Sequence, residues 1–295
     1  SERVPGWHFP MMNAIPRNAA YEAAIRRHVT ATSHVLDIGT GSALLAMMAA
    51  RAGAAHVTAC EAVEEIAAAA RQIVASNGFA ERVTVLAKHS TDLVVGRDMP
   101  RRADLLISEI LSSDLVGEQV IRSLRHAQQA LLMPGARAIP AVAEAVACLV
   151  GSDAISANFT VATVSGFDLS PCNRLRMPVH SMDLRTLPFE RLSPPVPVVR
   201  LVYPFETLPP THFTTDFPVT RSGRCDAVAQ WVRLILDDAT TLDNDPALYA
   251  GEQTMGWMHV VYPFERPIDL VAGQTLRVAG AITRSWLILG LPEIL

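Results

Sequence analysis

Two glutamates nine positions apart, Glu109 and Glu118, bracket the segment Ser108-Glu-Ile-Leu-Ser-Ser-Asp-Leu-Val-Gly-Glu118, with Asp114 between them. A loop that returns a second carboxylate beside the first makes a two-pronged acidic clamp. Its natural partner is a planar cation with a fork of N–H donors, which is a guanidinium. On the residues alone a plainer alternative stays open: Glu118 favours the start of a following helix through the helix dipole.

A second group of residues lies earlier. Val35-Leu-Asp-Ile-Gly-Thr-Gly-Ser42 reads as a strand running into a glycine turn and then a helix. Gly39 and Gly41 let the backbone turn sharply and approach a ligand closely, and the helix start beyond offers unpaired N–H groups. A dinucleotide site requires GxGxxG, and here the sixth position is Leu44. An acidic residue two before the first glycine, Asp37, favours the S-adenosylmethionine version of such a loop. Glu61 ends the next strand, where a carboxylate accepts both ribose hydroxyls. Gly39-Thr40-Gly41 alone equally describes a simple turn, and Asp37 alone a turn cap. Together with Glu61 they predict a cofactor site.

These residues need elements to position them. His34–Ile38, His56–Glu61, Arg82–Leu86 and Ala103–Ser108 read as largely apolar strands. Helical stretches over 43–52, 63–76 and 118–132 alternate with them, the last ended by Pro134-Gly135. This β-α rhythm predicts a parallel sheet covered on both faces. After Pro140 helical periodicity fades. Strand-like runs follow at 144–150, 159–164, 198–203, 227–236, 258–262, 274–278 and 285–289, which predict an antiparallel sandwich or barrel. The expected division is therefore residues 1–140 and 141–295.

Composition narrows the function classes. Of 295 residues half are apolar, 18% are charged and the net charge is −4, so a large core is available and no basic stripe suits nucleic acid. Lys88 is the only lysine among 25 basic residues, a usage that points to a GC-rich, bacterial coding genome. Cys60, Cys148, Cys172 and Cys225 are too scattered for a zinc site, so no metal is expected. Four reduced thiols, no signal-like start and no apolar run of about 18 residues predict a cytoplasmic protein without a membrane span.

Over almost its whole length the chain resembles the protein arginine methyltransferases. The monomethylating branch, whose animal members carry two tandem modules, is the most similar, and this chain looks like a single module. The matching pieces are Pro16-Arg17-Asn18, Val35–Gly41, Leu45–Ala49, Ala59-Cys-Glu61, Lys88-His-Ser-Thr91, Ser108-Glu109 through Gly117-Glu118, and Trp257. The resemblance implies a Rossmann-like α/β methyltransferase domain of the seven-stranded type followed by an antiparallel β-barrel domain. It implies S-adenosylmethionine as cofactor and a head-to-tail homodimer, with Phe167–Met177 as the dimerisation arm.

The same resemblance implies individual roles. Arg17 would hold the methionine carboxylate. Gly39 and Gly41 would shape the pocket beside Asp37, and Glu61 would bind the ribose. Lys88, His89 and Ser90 would lie along the adenine. Glu109 and Glu118 would grip the guanidinium, Glu109 orienting it while Glu118, or water beside it, takes the proton. Trp7–Met12 would form a lid, in which Met11 and Met12 crowd the reacting nitrogen and restrict the product to monomethylarginine. Trp257 would wall the substrate channel, a plain core aromatic being the alternative.

Three departures stand out. The family's third glycine is Ala43, the histidine before the channel tryptophan is Gly256, and the acid three before the cofactor-binding arginine is Ala14. The last two imply a roomier or differently shaped substrate site. His259 could compensate for the lost histidine, a solvated strand histidine being the simpler reading. The substrate is then an arginine, free or in a protein, with a lean to free L-arginine. The alternatives are a methyltransferase for another small amine or natural product, and an inactive cofactor-binding partner.

Overall fold

The computed structural model of the protein describes residues 8–117, 120–248, 256–283 and 286–295. Two helices, α1 (His8–Met12) and α2 (Ile15–His28), precede the first strand. Pro16 sits in the first turn of α2, where its missing N–H is no loss. Arg26, Arg27 and His28 fill the last turn, as the helix dipole favours. Arg27 and His28 both reach Asp237, far along the chain.

The chain continues through β1 (His34–Ile38), α3 (Leu44–Arg51), β2 (His56–Glu61), α4 (Glu64–Ser76), β3 (Val83–Ala87), β4 (Ala103–Ser108), α5 (Val120–His126) and β5 (Leu132–Ile139). The five strands form one parallel sheet in the order β3-β2-β1-β4-β5. The apolar run of β1 suits its central place, and all five of its residues are buried. After β1 the chain winds to one side through β2 and β3, then crosses back so that β4 lies on the other side of β1. That reversal opens a crevice at the carboxyl ends of β1 and β4, where open α/β sheets bind ligands.

The strand β5 is a departure from the sequence expectation. Pro134-Gly135 reads as a helix stop, yet α5 already ends at His126, a π turn covers Ala127–Leu131, and Pro134-Gly135 lie within β5. β5 is the edge of the sheet, and its register on β4 shifts between Ala103 and Leu105. A proline is tolerated at such an edge irregularity because no ladder bond is lost.

The remainder is barrel-like and antiparallel. It contains β6 (Val142–Gly151), the short α6 (Asp153–Ser156), β7 (Thr163–Val164), β8 (Phe167–Asp168), β9 (His180–Met182), β10 (Glu190–Arg191), β11 (Val196–Val202) and β12 (His212–Pro218). Then come β13 (Gly223–Asp237), β14 (Thr240–Asp243), β15 (His259–Leu270), β16 (Thr275–Ile282) and β17 (Leu287–Ile294). One sheet runs β10-β6-β13-β15-β9, with β11 also on β6 and β14 on β13; another runs β12-β16-β17; β7 and β8 form a hairpin. Of the run expected at 159–164 only Thr163–Val164 is strand.

The central strands are buried on both sides, and their alternation shows it. Ala143, Ala145, Ala147 and Leu149 of β6 face the large core shared with the parallel sheet. Val146, Cys148 and Val150 face a smaller core around Trp231 and Ile155. Period-two alternation thus sends β6 into two cores at once. No described helix is long and apolar enough to cross a membrane.

Candidate active site

A cavity of about 380 Å³ lies where β1 and β2 end and the segment after β4 begins. Met11, Met12, Arg17, Asp37, Gly39, Gly41, Glu61, Lys88, His89, Ser90 and Glu109 all line it. Residues spread over a hundred positions of sequence therefore meet around one space.

The glycine turn shapes its floor. Gly39 (φ 71°) and Gly41 (φ 55°) adopt left-handed backbone, and the N–H groups of Gly39 and Thr40 both donate to the Cys60 carbonyl at 3.0 Å. A Cβ on Gly39 would overlap the Cγ2 methyl of Ile110, so only glycine lets this turn meet the segment after β4. Ala43 (φ 62°) is left-handed as well and fully buried, a conformation that an L side chain rarely takes.

Glu61 and Asp37 flank the turn. Glu61 accepts the Gly41 N–H through Oε2 and the Val63 N–H through Oε1, each at 3.1 Å. Each oxygen keeps a lone pair for a further donor. Asp37 is buried, and its carboxylate accepts the Thr40 hydroxyl at 2.6 Å, so it faces the cavity and braces the turn together. Burial pushes its carboxyl up to about 7, opposed by the Thr40 hydrogen bond and by Arg17.

Arg17 and Glu109 form a buried ion pair through Nη2 and Oε2, with side chains only 5% and 6% exposed. Arg17 Nη1 donates to Asn18 Oδ1 at 2.8 Å, and the guanidinium lies 5.4 Å from the Tyr21 ring centre. Asn18 Nδ2 in turn donates to the Met12 carbonyl at 2.8 Å, tying α1 to α2. Burial, with Glu109 adding to it, pushes the Tyr21 phenol far up, so it stays neutral beside the pair.

The residues also test whether a nucleoside with a carboxylate tail fits here. Two buried polar atoms of cavity-lining residues, Arg17 Nε and Ser90 Oγ, have no hydrogen-bond partner within the protein. Buried donors are nearly always satisfied. A cationic N–H near Asp37, the spare lone pairs of Glu61 and an unpaired hydroxyl at Ser90 form a donor and acceptor set that S-adenosylmethionine matches. The polar ends of the neighbouring side chains have local duties. Lys88 Nζ pairs with Asp98 at 2.5 Å, which with Arg97 holds the Asp98 carboxyl well below the usual range. His89 Nδ1 accepts the Thr91 N–H at 3.3 Å and caps the short turn Ser90–Asp92.

Other candidates sit elsewhere. Trp257 does not line the cavity; its buried indole N–H donates to the Leu111 carbonyl at 2.9 Å, so it meets the acidic segment from the barrel side. Glu118 and Trp7 lie outside the described residues. His259 is not solvated and does not line the cavity. It is wholly buried, Nδ1 accepting the Leu184 N–H at 3.1 Å and Nε2 facing the Asn244 carbonyl at 3.1 Å. Burial pushes its imidazole down, so it is a neutral core histidine.

Gly256 does not leave open room. A Cβ there would meet Met11 Cβ at 3.1 Å and Met11 Cα at 3.2 Å, so α1 is seated against it. Sequence reasoning missed Ser123 of α5 and Ile110, which also line the cavity. Ile110 could have been found as the neighbour of Glu109; no motif marks Ser123.

A profile of the ribosomal protein L11 methyltransferase family matches residues 21–141. The arginine N(omega)-methyltransferase of Streptomyces achromogenes subsp. streptozoticus is 37% identical over 274 residues, which cover 92% of this chain and 75% of that protein. Protein arginine N-methyltransferase 7 of Drosophila grimshawi is 34% identical over 250 residues, covering 77% of this chain and 35% of that protein. Its Drosophila melanogaster namesake is 37% identical over 311 residues, 91% of this chain and 45% of that protein. The chain thus spans less than half the length of these Drosophila relatives. Among solved structures, the enzyme–prozyme heterotetramer of Trypanosoma brucei protein arginine methyltransferase 1 with S-adenosylhomocysteine matches with a TM-score of 0.79. That match has 22% identity and covers 94% of this chain and 87% of that one. Arabidopsis thaliana protein arginine methyltransferase 10 matches with a TM-score of 0.76 and 21% identity, over 97% and 92% of the two chains. At such identities the structural likeness is one of fold.

Proposed function

The chain belongs to the protein arginine methyltransferase family, and from that premise we propose that it methylates free L-arginine on a terminal guanidino nitrogen to give monomethylarginine. It is an S-adenosylmethionine-dependent arginine N-methyltransferase; free arginine and the single methyl group are the finer reading. The observation that carries the guanidino chemistry is the buried pair of Glu109 with Arg17: the acidic end of the cavity already holds a guanidinium in water-poor surroundings. Free arginine is favoured by the Streptomyces relative, whose name specifies arginine and which aligns over 92% of this chain. Monomethylation is favoured by Met11 and Met12 on the cavity wall, which limit room beside an already methylated nitrogen.

In this reading Arg17 Nε holds the carboxylate of the cofactor's methionine. The Gly39–Gly41 backbone, with Asp37 beneath it, makes room for the amino acid part. Glu61 accepts the ribose hydroxyls, and Lys88, His89 and Ser90 border the adenine. S-adenosylmethionine, when bound, supplies a methyl group on a positively charged sulfur.

The protein must make a poor nucleophile attack. A guanidinium is delocalised and keeps its charge above pH 12. A carboxylate accepts up to about four hydrogen bonds, so Glu109 has capacity for Arg17 and a substrate guanidinium together. By gripping the two nitrogens that do not attack, Glu109 and Glu118 together draw positive charge onto them and leave more lone-pair character on the third, which attacks. Holding that nitrogen in line provides much of the remaining acceleration. Glu118, or water beside it, then takes the released proton. α1, with Met11 and Met12, keeps bulk water from the cavity.

The test is a turnover assay with labelled S-adenosylmethionine, free L-arginine and an arginine-rich peptide side by side, with products identified by mass spectrometry. Monomethylated free arginine is expected. Methylation of the peptide alone would overturn the substrate choice, and dimethylarginine as main product would overturn the methyl count. We also propose a homodimer formed through the segment around β7, β8 and Met177, where Phe167, Leu175 and Met177 are strongly exposed. Light scattering should report twice the chain mass, falling to one chain for Leu175→Glu/Met177→Glu; an unchanged mass would remove the arm from assembly.

A further inference from the structure

From Glu109 to Gly117 the chain is neither helix nor strand. Its shape rests on turn bonds within it, such as Leu115 N–H to the Ser112 carbonyl at 2.8 Å, and on contacts from outside. Leu115 is buried with left-handed backbone (φ 74°), a strained state that persists only where the surroundings impose it.

The surroundings are a set of buried hydrogen bonds reaching in from the barrel. Gln230 of β13 donates from Nε2 to the Ser113 carbonyl at 3.2 Å. The Tyr262 hydroxyl of β15 lies 2.6 Å from Gln230 Oε1 and 3.0 Å from the Leu287 carbonyl, sharing its proton between them. The Leu287 N–H of β17 donates to Asp114 Oδ2 at 3.0 Å. Asp114 Oδ1 accepts from the Ser112 hydroxyl and from the Gly117 N–H, the latter at 3.3 Å. Ser113 and Asp114 are chain neighbours, so the circuit closes on itself. Gln230, Tyr262 and Leu287 are buried to 1% exposure or less, and Asp114 is 4% exposed. Burial, with Asp114 adding to it, pushes the Tyr262 phenol far up, so it remains a donor.

We propose that Gln230, Tyr262 and Asp114 are positioning residues for arginine methylation, forming a buried circuit that sets the Glu109–Gly117 segment against the cofactor cavity. The inference rests on Glu109 being the guanidinium-binding carboxylate. None of the three touches the cavity; each acts through the backbone of the segment. The geometry assigns Tyr262 the central part. Without its hydroxyl, Gln230 Oε1 is left buried and unpaired, the amide is free to rotate, and the Ser113 bond goes with it.

The experiment is Tyr262→Phe in the full chain, a change that removes one oxygen and leaves the ring in place. It is read by kcat and KM for L-arginine, by direct binding of S-adenosylmethionine, and by hydrogen exchange. Expected are a fall in kcat/KM for arginine of about tenfold or more, cofactor affinity within about twofold, and faster exchange confined to peptides spanning 109–117. Asp114→Asn, which keeps one acceptor, should show the same pattern and covers the case of a poorly folded Tyr262→Phe. A lowered melting temperature with unchanged kcat/KM and unchanged exchange in 109–117 would overturn the proposal. Should the unaltered enzyme turn over no guanidino compound, the functional reading itself fails. Hydrogen exchange then decides the circuit alone: faster exchange in 109–117 keeps it, and unchanged exchange ends it.

Discussion

Asp37 is where burial and charge are most opposed, and replacing it with asparagine gives the sharpest test of the site's electrostatics. The carboxyl is enclosed and pushed from its ordinary 3.8 to about 7, chiefly by burial. A group whose folded value lies above its unfolded value holds its proton more tightly when folded. Its stabilising contribution is therefore fully present below about pH 4 and lost as pH rises through 7. Three units at about 1.4 kcal/mol each make that loss about 4 kcal/mol. Asp37→Asn is neutral at every pH and escapes it. Between pH 5 and 7 the loss runs at about 1.4 kcal/mol per pH unit, so the variant should gain about 3 kcal/mol on the unaltered protein from pH 5 to pH 8.5. The gain is trimmed because the Asn amide offers Thr40 only one acceptor where the carboxylate offered two. At about 2–4 °C per kcal/mol for a chain of this class, the melting temperature should rise by several degrees. The assay is cofactor-free thermal and urea unfolding of both proteins at pH 5 and 8.5. Carboxylates held low by arginines, such as Asp237 and Asp183, act with the opposite sign at lower pH and cancel in the difference. Equal pH slopes for the two proteins, or a less stable variant at pH 8.5, would refute the reasoning. Cofactor affinity should fall in the same variant, since Asp37 braces the turn under the pocket.

Glu109→Gln should slow methyl transfer by more than about a hundredfold while the cofactor still binds, as single-turnover assays and calorimetry would report. Near-normal turnover would remove Glu109 from the chemistry. The same variant should unfold more easily, by less than the about 3–5 kcal/mol typical of a broken buried pair, because the amide still offers Arg17 an acceptor. Ala43→Gly should be neutral or stabilising by up to about 1 kcal/mol in thermal unfolding, against the usual trend for glycine. Relief of left-handed strain outweighs the added freedom of the unfolded chain. A loss above about 1 kcal/mol would mean that packing of the Ala43 methyl matters more than its backbone.

The parallel half was legible because its signals are local. An apolar run ending in Asp37-Ile-Gly39 specifies a buried strand and a turn that only glycine can make, and Glu61 follows at the end of the next such run. Each residue reaches the cavity through its own strand, so spacing along the chain predicts meeting in space. β5 escaped notice because Pro134-Gly135 carries the same local signature in an edge strand as at a helix end. His259 was misjudged for the opposite reason: an exposed strand position and a core position with two backbone partners look alike in one sequence.

The acidic segment marks the limit of such reading. Glu109 was legible from its type and its place after a strand, yet what holds it there comes from far away. Trp257 reaches the Leu111 carbonyl, Gln230 the Ser113 carbonyl, and the backbone N–H of Leu287 the Asp114 carboxylate. Three of the six groups in those contacts are main-chain atoms, which any residue supplies and no composition records. A backbone partner leaves no trace in the identity of the residue that bears it. The chemistry of this site is therefore written in side chains, whereas its geometry depends on barrel strands whose sequence says only that they are apolar and buried. It follows that substitutions in the barrel far from the cavity should alter turnover more than its composition suggests. The effect should concentrate at Gln230 and Tyr262, the buried polar side chains through which the barrel reaches the Ser113 carbonyl.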